Sequence, residues 1–356
     1  MIRTFLFIFL LSSSLYSKEV CIINFNKEVC KEFNILNSVI IKSPLLKEDL
    51  STKLNKSLKQ IAFLKNSNLF LVNSKQPLIY SKELLKKEYI IYAQPNIAQT
   101  KNINFKKSQN ITKKYNLKKI WKTTKGEGVN IAIIDDGFNL EHEDLKGVNI
   151  LFSYDVDNKS LNTKPKVKLD THGTQVAGMI FAQHNDIGIN GIAPNSNFIA
   201  IRQTTNITSD TVLSFTVAQK IGADVINCSW NSPILLEPVY DVIKSLSKNI
   251  AIVISAGNDN KKILPYSTEA SIDEVITVGA TQKYSNYGDV VDFIIPSGVV
   301  TTKQSGTYGR FGGTSATAPI ISGLLALKIA QGKTIAESIY ELKKETNNSF
   351  IDGKIR

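Results

Sequence analysis

The chain has 356 residues, 42% hydrophobic and 21% charged, which excludes a disordered chain and leaves room for one large core or two unequal domains. The formal net charge is +12, but the lysines are spread along the chain without an arginine-rich block. The charge therefore reads as a solvated surface, and no nucleic-acid partner is expected. Three cysteines exclude a disulfide-dense scaffold, and no Cys/His spacing suggests zinc.

The first element is "MIRTFLFIFLLSSSLYS", a positive start, a short apolar run and a small-residue tail. This pattern predicts a secretory signal peptide over residues 1–17, cleaved after Ser17. The apolar run is short of the about 18 residues a bilayer-spanning helix needs, so no stable membrane span is expected after cleavage. The alternative is an uncleaved N-terminal anchor. The protein is thus expected to be exported, periplasmic or secreted, where disulfides persist. Cys21 and Cys30 are close enough in sequence to pair, and Cys228 in "ADVINCSW" reads as a buried free thiol.

Residues 18–100 read as a separate small α+β unit. "CIINF" and "SVIIK" predict strands, "LKEDLSTKLNKSLKQIAFL" a helix, and "NLFLVN" and "EYIIYAQPN" two more strands. The polar stretch "IAQTKNINFKKSQN" follows, and residues 101–111 are read as an exposed linker with a processing site.

From residue 112 to 356 the pattern changes. Apolar runs "VNIAIID", "NFIAIR", "ADVINCS", "NIAIVISAG" and "EVITVGA" alternate with helical stretches "THGTQVAGMIFAQ", "SDTVLSFTVAQKIG" and "PVYDVIKSLSK". Continuous apolar strands separated by helices predict an α/β fold, a mostly parallel sheet covered on both faces. Sites in such sheets gather at the carboxyl ends of the strands. Asp135, Ser229 and Asn258 all fall where an apolar run stops.

Four short segments bear chemistry: Asp135-Asp136-Gly137, Asp170-Thr171-His172-Gly173-Thr174, Ser255-Ala256-Gly257-Asn258 and Gly312–Pro319. A serine needs a base to become a nucleophile, and a histidine is the suitable base near neutral pH. The histidine needs a carboxylate to fix its tautomer, and the oxyanion needs preorganised donors. Asp135, His172, Asn258 and Ser315 fill those roles in the order acid, base, oxyanion donor, nucleophile. His142 and His184 lack the flanking small residues and read as structural.

These four segments, in this order, resemble the subtilisin-like serine proteases, the peptidase S8 subtilases, over roughly residues 112–345. "WKTTKGEGVNIAIIDDGFNLEHEDL", "GINGIAPNSNFIAIR" and "YSNYGDVVDFIIPSG" extend the resemblance beyond the triad. The resemblance implies a serine endopeptidase acting on protein or peptide substrates, with no cofactor for catalysis. It implies that Ser229, Trp230 and Asn231 form an edge that binds substrate backbone, and that Ser255, Ala256 and Gly257 line a wall of the specificity pocket. "DDG", Ser229-Trp230 and "GTSATAP" are similar to the kexin/furin branch, in which the second Asp, here Asp136, faces the substrate. The alternative role for Asp136 is a turn cap. The acidic pocket residue of that branch is missing, since Asn231-Ser232-Pro233-Ile234 follows Trp230. The resemblance also implies that the N-terminal unit is a propeptide, an intramolecular inhibitor of a self-processing zymogen. It further implies a structural calcium ion on Asp144 and Asn185, with the carbonyls of Ile187 and Ile189. Two readings compete with an active protease. A catalytically silent binding protein is disfavoured by the complete set of four residues. An esterase is disfavoured because His172 precedes Ser315 and no G-x-S-x-G surrounds it.

Overall fold

The structure, a computed structural model, describes residues 19–99 and 111–347. The expected signal peptide and nearly all of the expected linker lie outside the described residues.

The N-terminal unit begins with a hairpin, β1 (Glu19–Asn24) and β2 (Lys27–Glu32). Its turn residues Phe25 and Asn26 both have positive φ, the geometry of the tightest hairpin turns. Cys21 and Cys30 face each other in the register and are joined by a disulfide. Then come β3 (Asn34–Ser43), α1 (Lys47–Leu54), β4 (Leu58–Leu64), β5 (Ser67–Asn73), α2 (Pro77–Leu84) and β6 (Tyr92–Gln99). The helix expected over residues 46–64 is therefore two elements. Asn55 takes the left-handed conformation that ends α1, and Leu58–Leu64 pairs with β5 instead of continuing the helix. Cross-strand pairing overrides the helical period there. α2 had no counterpart in the sequence reading. It starts on Pro77, whose missing N–H is harmless in a first turn.

The second unit contains α3 (Ile111–Lys114), α4 (Leu117–Ile120), β7 (Asn130–Asp135), β8 (Ile150–Asp155), α5 (His172–Phe181), β9 (Asn197–Arg202), β10 (Asn206–Ile207) and α6 (Thr208–Ile221). It continues with β11 (Val225–Cys228), α7 (Glu237–Leu246), β12 (Ala251–Ser255), β13 (Ile276–Ala280), β14 (Phe293–Ile295), β15 (Val299–Thr302), β16 (Tyr308–Phe311), α8 (Thr314–Ile329) and α9 (Ile335–Asn347). Seven strands form one parallel sheet in the order β14-β13-β12-β11-β7-β9-β8. The five expected strands are its five central ones. One core, around Val176, Phe181, Phe198 and Leu325, lies on the face carrying α5 and α8. The other, around Val212, Phe215, Val239 and Ile243, lies under α6 and α7. No helix among the described residues is long and apolar enough to cross a membrane.

The two units are joined through the second core. Ile40, Ile61, Leu69 and Tyr92 of the N-terminal sheet pack into it, and β10 pairs antiparallel with β6. Polar contacts fix the docking at two helix starts. Asn96 Oδ1 accepts from the Ser209 N–H at 3.0 Å, capping α6 from across the interface. At α7, Gln94 Nε2 donates to Glu237 Oε2 at 2.7 Å, Asn24 Oδ1 accepts from the Glu237 N–H at 3.1 Å, and Lys42 pairs with Asp241 at 2.8 Å. The Phe25 ring at the hairpin tip meets Tyr266 at 4.5 Å and Tyr240 at 5.2 Å.

Burial in this interface pushes the Glu237 carboxyl up to about 7; Asp241 adds repulsion, and the Phe25 backbone N–H and Lys42 oppose it. Docking thus favours the protonated form. Its contribution is fully present below the ordinary carboxylate value and is lost as pH rises through about 7. Hydrogen exchange of the β6 amides is accordingly expected to quicken between pH 5 and 8 by more than the intrinsic chemical rate predicts. Glu237→Gln should remove that excess; an identical excess in the variant would locate its origin elsewhere.

Candidate active site

Asp135 is the last residue of the central strand β7, and His172 is the first residue of α5. His172 Nδ1 lies 2.8 Å from Asp135 Oδ1 and 2.9 Å from Oδ2. A carboxylate only accepts, so Nδ1 carries the proton and Nε2 is the nitrogen left to take one. Both side chains are buried, and the imidazole packs edge-on against Phe311 at 5.2 Å. Asp135 Oδ1 also accepts from the Asp136 N–H at 2.8 Å.

The neighbouring Asp136 bonds the start of α5. Its Oδ2 accepts from the His172 N–H at 3.1 Å and its Oδ1 from the Gly173 N–H at 2.7 Å. Both oxygens are engaged by α5, whose N-cap residue Thr171 makes no side-chain cap bond. Of the two roles set out for it, the structure supports a cap, and of the helix start in place of the turn. Burial, and next the negative charge of Asp135, push its carboxyl above the usual range, opposed by His172 and the two backbone N–H groups.

Ser315 sits in the first turn of α8. The helix is entered through Gly313, whose φ of 71° is a left-handed conformation that favours glycine. The Ser315 N–H is among the first four of the helix, which have no intrahelical acceptor. Its hydroxyl donates to the Ser229 carbonyl oxygen at 2.8 Å. Asn258, in the loop after β12, has its Oδ1 held by the Thr314 N–H at 2.8 Å and the Thr314 hydroxyl at 3.2 Å. The amide is thereby oriented with Nδ2 as its remaining donor group. Thr314 was not singled out in sequence; its signal is only the "GTS" that it shares with Ser315.

A cavity of about 420 Å³ opens beside Ser315. Ser229, Trp230, Asn231, Ser255, Ala256, Gly257 and Asn258 all line it, so the expected substrate edge and pocket wall come together. Trp230 is largely buried, however, and its Nε1 donates to the Ile134 carbonyl at 2.7 Å, tying β11 to β7 beside Asp135. A buried guanidinium was also missed. Arg202, at the end of β9, reaches Asp170 at 2.9 Å, Asp157 at 3.2 Å and Asp155 at 3.3 Å. It grips the segment that leads into His172. In sequence, Arg202 was only the end of an apolar run.

The expected calcium residues meet in one place. Asn185 Nδ2 reaches the Glu143 carbonyl at 3.3 Å, next to Asp144. Asp144 is fully buried and its Oδ1 has no hydrogen-bond partner, the kind of oxygen a hard cation satisfies. Asp144 therefore offers an oxygen to such an ion, whereas Asn185 turns its Nδ2 to Glu143 and its Oδ1 to the Ile187 N–H. Ile189 meets Asp144 through its N–H, at 2.8 Å to Oδ2, and the Ile187 N–H donates to Asn185 Oδ1 at 3.1 Å, so both present donors where carbonyls were expected. His142 and His184 bond backbone carbonyls at Thr307 and Gly191, as structural histidines do.

Residues 126–349 match the peptidase S8 family model, described as the subtilase family, and the chain belongs to that family. It is 33% identical over 231 residues to the thermophilic serine proteinase of Bacillus sp. (strain AK1), covering 61% of this chain and 56% of that protein. It is 32% identical over 253 residues to subtilisin DY of Bacillus licheniformis, covering 65% of this chain and 89% of that protein. Among solved structures, fervidolysin from Fervidobacterium pennivorans aligns with a TM-score of 0.69 at 18% identity, over 89% of this chain and 57% of that one. The epidermin leader peptide processing serine protease of Staphylococcus aureus aligns at 0.64 and 20% identity, over 86% of this chain and 92% of that one. Both alignments are too long to involve the second unit alone, so the fold is shared over much of the N-terminal unit as well.

Replacing the Asp136 side chain removes two helix-start acceptors at once. Asp136→Ala is expected to lower stability by about 1–2 kcal/mol, read from the denaturant midpoint at constant slope. A midpoint equal to that of the unaltered chain would show that the cap carries no weight.

Proposed function

We propose that the protein is an exported serine endopeptidase made as a self-processing zymogen. The observation that supports it most is the Asp135–His172 pair, bound at 2.8 Å, in a site where Asn258 is oriented by the residue preceding Ser315. In the proposed reaction the Ser315 hydroxyl proton leaves the Ser229 carbonyl for His172 Nε2 as Oγ attacks the peptide carbonyl carbon. Asp135 stabilises the imidazolium that forms. Asn258 Nδ2 and the Ser315 N–H take the developing oxyanion. His172 then gives its proton to the leaving amine, and a water activated by the same nitrogen releases the acyl group.

The resemblance to the kexin/furin branch is carried over to the cleft backbone but not to a strict preference for basic residues, because Asn231-Ser232-Pro233-Ile234 stands where that branch has an acidic pocket residue. The N-terminal unit is proposed as the inhibitor, supported by its docking on α6 and α7, with cleavage within residues 95–112. A structural Ca²⁺ is proposed on Asp144 and Asn185.

A fluorophosphonate probe and casein digestion test the reaction. Labelling and casein cleavage are expected in the unaltered chain, with no label in Ser315→Ala and about 10⁴-fold slower turnover in Asp135→Asn. N-terminal sequencing should find processing within residues 95–112 only when Ser315 is present. A folded protein whose N-terminal unit is gone and which takes no label would overturn the reading. For the ion, EGTA should lower Tm by about 2–4 °C per kcal/mol of binding lost, and Asp144→Asn should abolish the response. No shift with chelator would remove calcium from the account.

A further inference from the structure

The cavity beside Ser315 is crossed by a side chain. Its two long walls are the segments that follow β11 and β12. Asn231, on the first wall, reaches the second: its Nδ2 donates to the Ser255 carbonyl and lies 3.3 Å from Ser255 Oγ. Its Oδ1 accepts from the Thr268 hydroxyl at 2.8 Å. Both ends of the amide are thus committed to other residues that line the cavity. The bar is braced from beneath. Thr268 Oγ1 lies 3.2 Å from Glu269 Oε2, and the same oxygen accepts from the Ser232 N–H at 2.9 Å. Glu269 is 2% exposed, so the brace is a buried, fixed carboxylate.

The second wall has no room to retreat. A Cβ on Gly257 would stand 2.4 Å from Asn286 Nδ2, and that nitrogen donates to the Ala256 carbonyl at 3.0 Å. The charged lining residues, Asp259, Lys261 and Lys262, are all exposed, and the buried Glu269 carboxylate beneath the lining is engaged by the Ser232 N–H and the Thr268 hydroxyl, so it is already paired.

We propose that Asn231 is the specificity-determining residue of this cleft, a crossbar that restricts the substrate residue on the acyl side of the cleaved bond to alanine and serine. The proposal rests on the reading of this chain as a serine endopeptidase, and it names the substrate class of that site. A longer side chain has to break the Asn231 bonds to Ser255 and Thr268, which leaves a carbonyl and an amide unpaired in a desolvated pocket. Unpaired polar groups of this kind are among the most discriminating features a binding site offers.

The test uses the chain after loss of its N-terminal unit and the peptide anilides Ala-Ala-Pro-Xaa, with Xaa alanine, serine, phenylalanine or lysine. The unaltered chain is expected to show kcat/KM at least about 10-fold higher for alanine and serine than for phenylalanine and lysine. Asn231→Gly should shift the phenylalanine-to-alanine ratio upward by about 10-fold or more. Thr268→Val, which keeps the shape and removes the hydroxyl, should move it the same way by less, and keeps the question answerable if Asn231→Gly does not fold. Phenylalanine cleaved as well as alanine by the unaltered chain, or a ratio unmoved by the substitutions, overturns the proposal. Fluorophosphonate labelling of the same samples separates the two levels. Labelled protein with the wrong ratio removes only the crossbar, whereas unlabelled protein removes the peptidase reading and the crossbar with it.

Discussion

The constraint on which the rest depends is a carboxyl group, Asp135, buried at the end of a strand where it is 2% exposed. Desolvating such a group costs several kcal/mol unless it is paired and hydrogen-bonded. The His172 ring nitrogen and the Asp136 N–H provide that pairing. The second carboxylate beside it would add repulsion. It is accommodated because its oxygens sit on the first N–H groups of α5, where the helix dipole favours negative charge. One turn of chain thus resolves two problems: Asp135 holds the imidazole, and Asp136 holds the helix that carries it.

Around that pair the fold works by joining strand ends to helix starts. Trp230 ties the end of β11 to the end of β7 through the Ile134 carbonyl. Thr314 ties the loop after β12 to the start of α8. Deeper in, Asn227 of β11 donates to Ser229 Oγ and accepts from Ser322 Oγ of α8, so the segment whose carbonyl accepts the Ser315 hydrogen bond is anchored to the helix that carries Ser315. A buried polar network with its partners in place makes the arrangement rigid.

Much of this was legible in the sequence, for identifiable reasons. The five central strands announce themselves because they are buried on both faces and so lose polar alternation. Asp135, His172, Asn258 and Ser315 were visible because each sits where such a run stops or a helix begins. What stayed hidden depends on contacts distant in sequence. β8 carries partly exposed residues and no continuous apolar run, and β14 is three residues long. The strand Leu58–Leu64 carries a helix-compatible pattern until β5 pairs with it. Asp136 and Arg202 gain their roles only when α5 or three separate aspartates arrive. Asn231 reads as a loop residue until Ser255 and Thr268 stand on either side of it.

The position of the N-terminal unit follows from the same topology. In a parallel sheet with crossover helices, the carboxyl ends of the strands and the amino ends of the following helices lie on one rim. α6 follows β9 and α7 follows β11, so their first-turn N–H groups, which lack intrahelical acceptors, are on the rim that holds Asp135 and the loops after β11 and β12. The N-terminal unit docks on those two helix starts, through Asn96 at α6 and through Gln94 and Asn24 at α7. Any partner that binds by satisfying these orphan donors is brought to the rim that carries Asp135 without needing to recognise the cleft. The last strand of the N-terminal unit, β6, meets β10 at residues 98 and 99. The hydrogen-bonding needs of two helix starts are therefore sufficient to direct this unit to the edge of the sheet where the chemistry is proposed to occur.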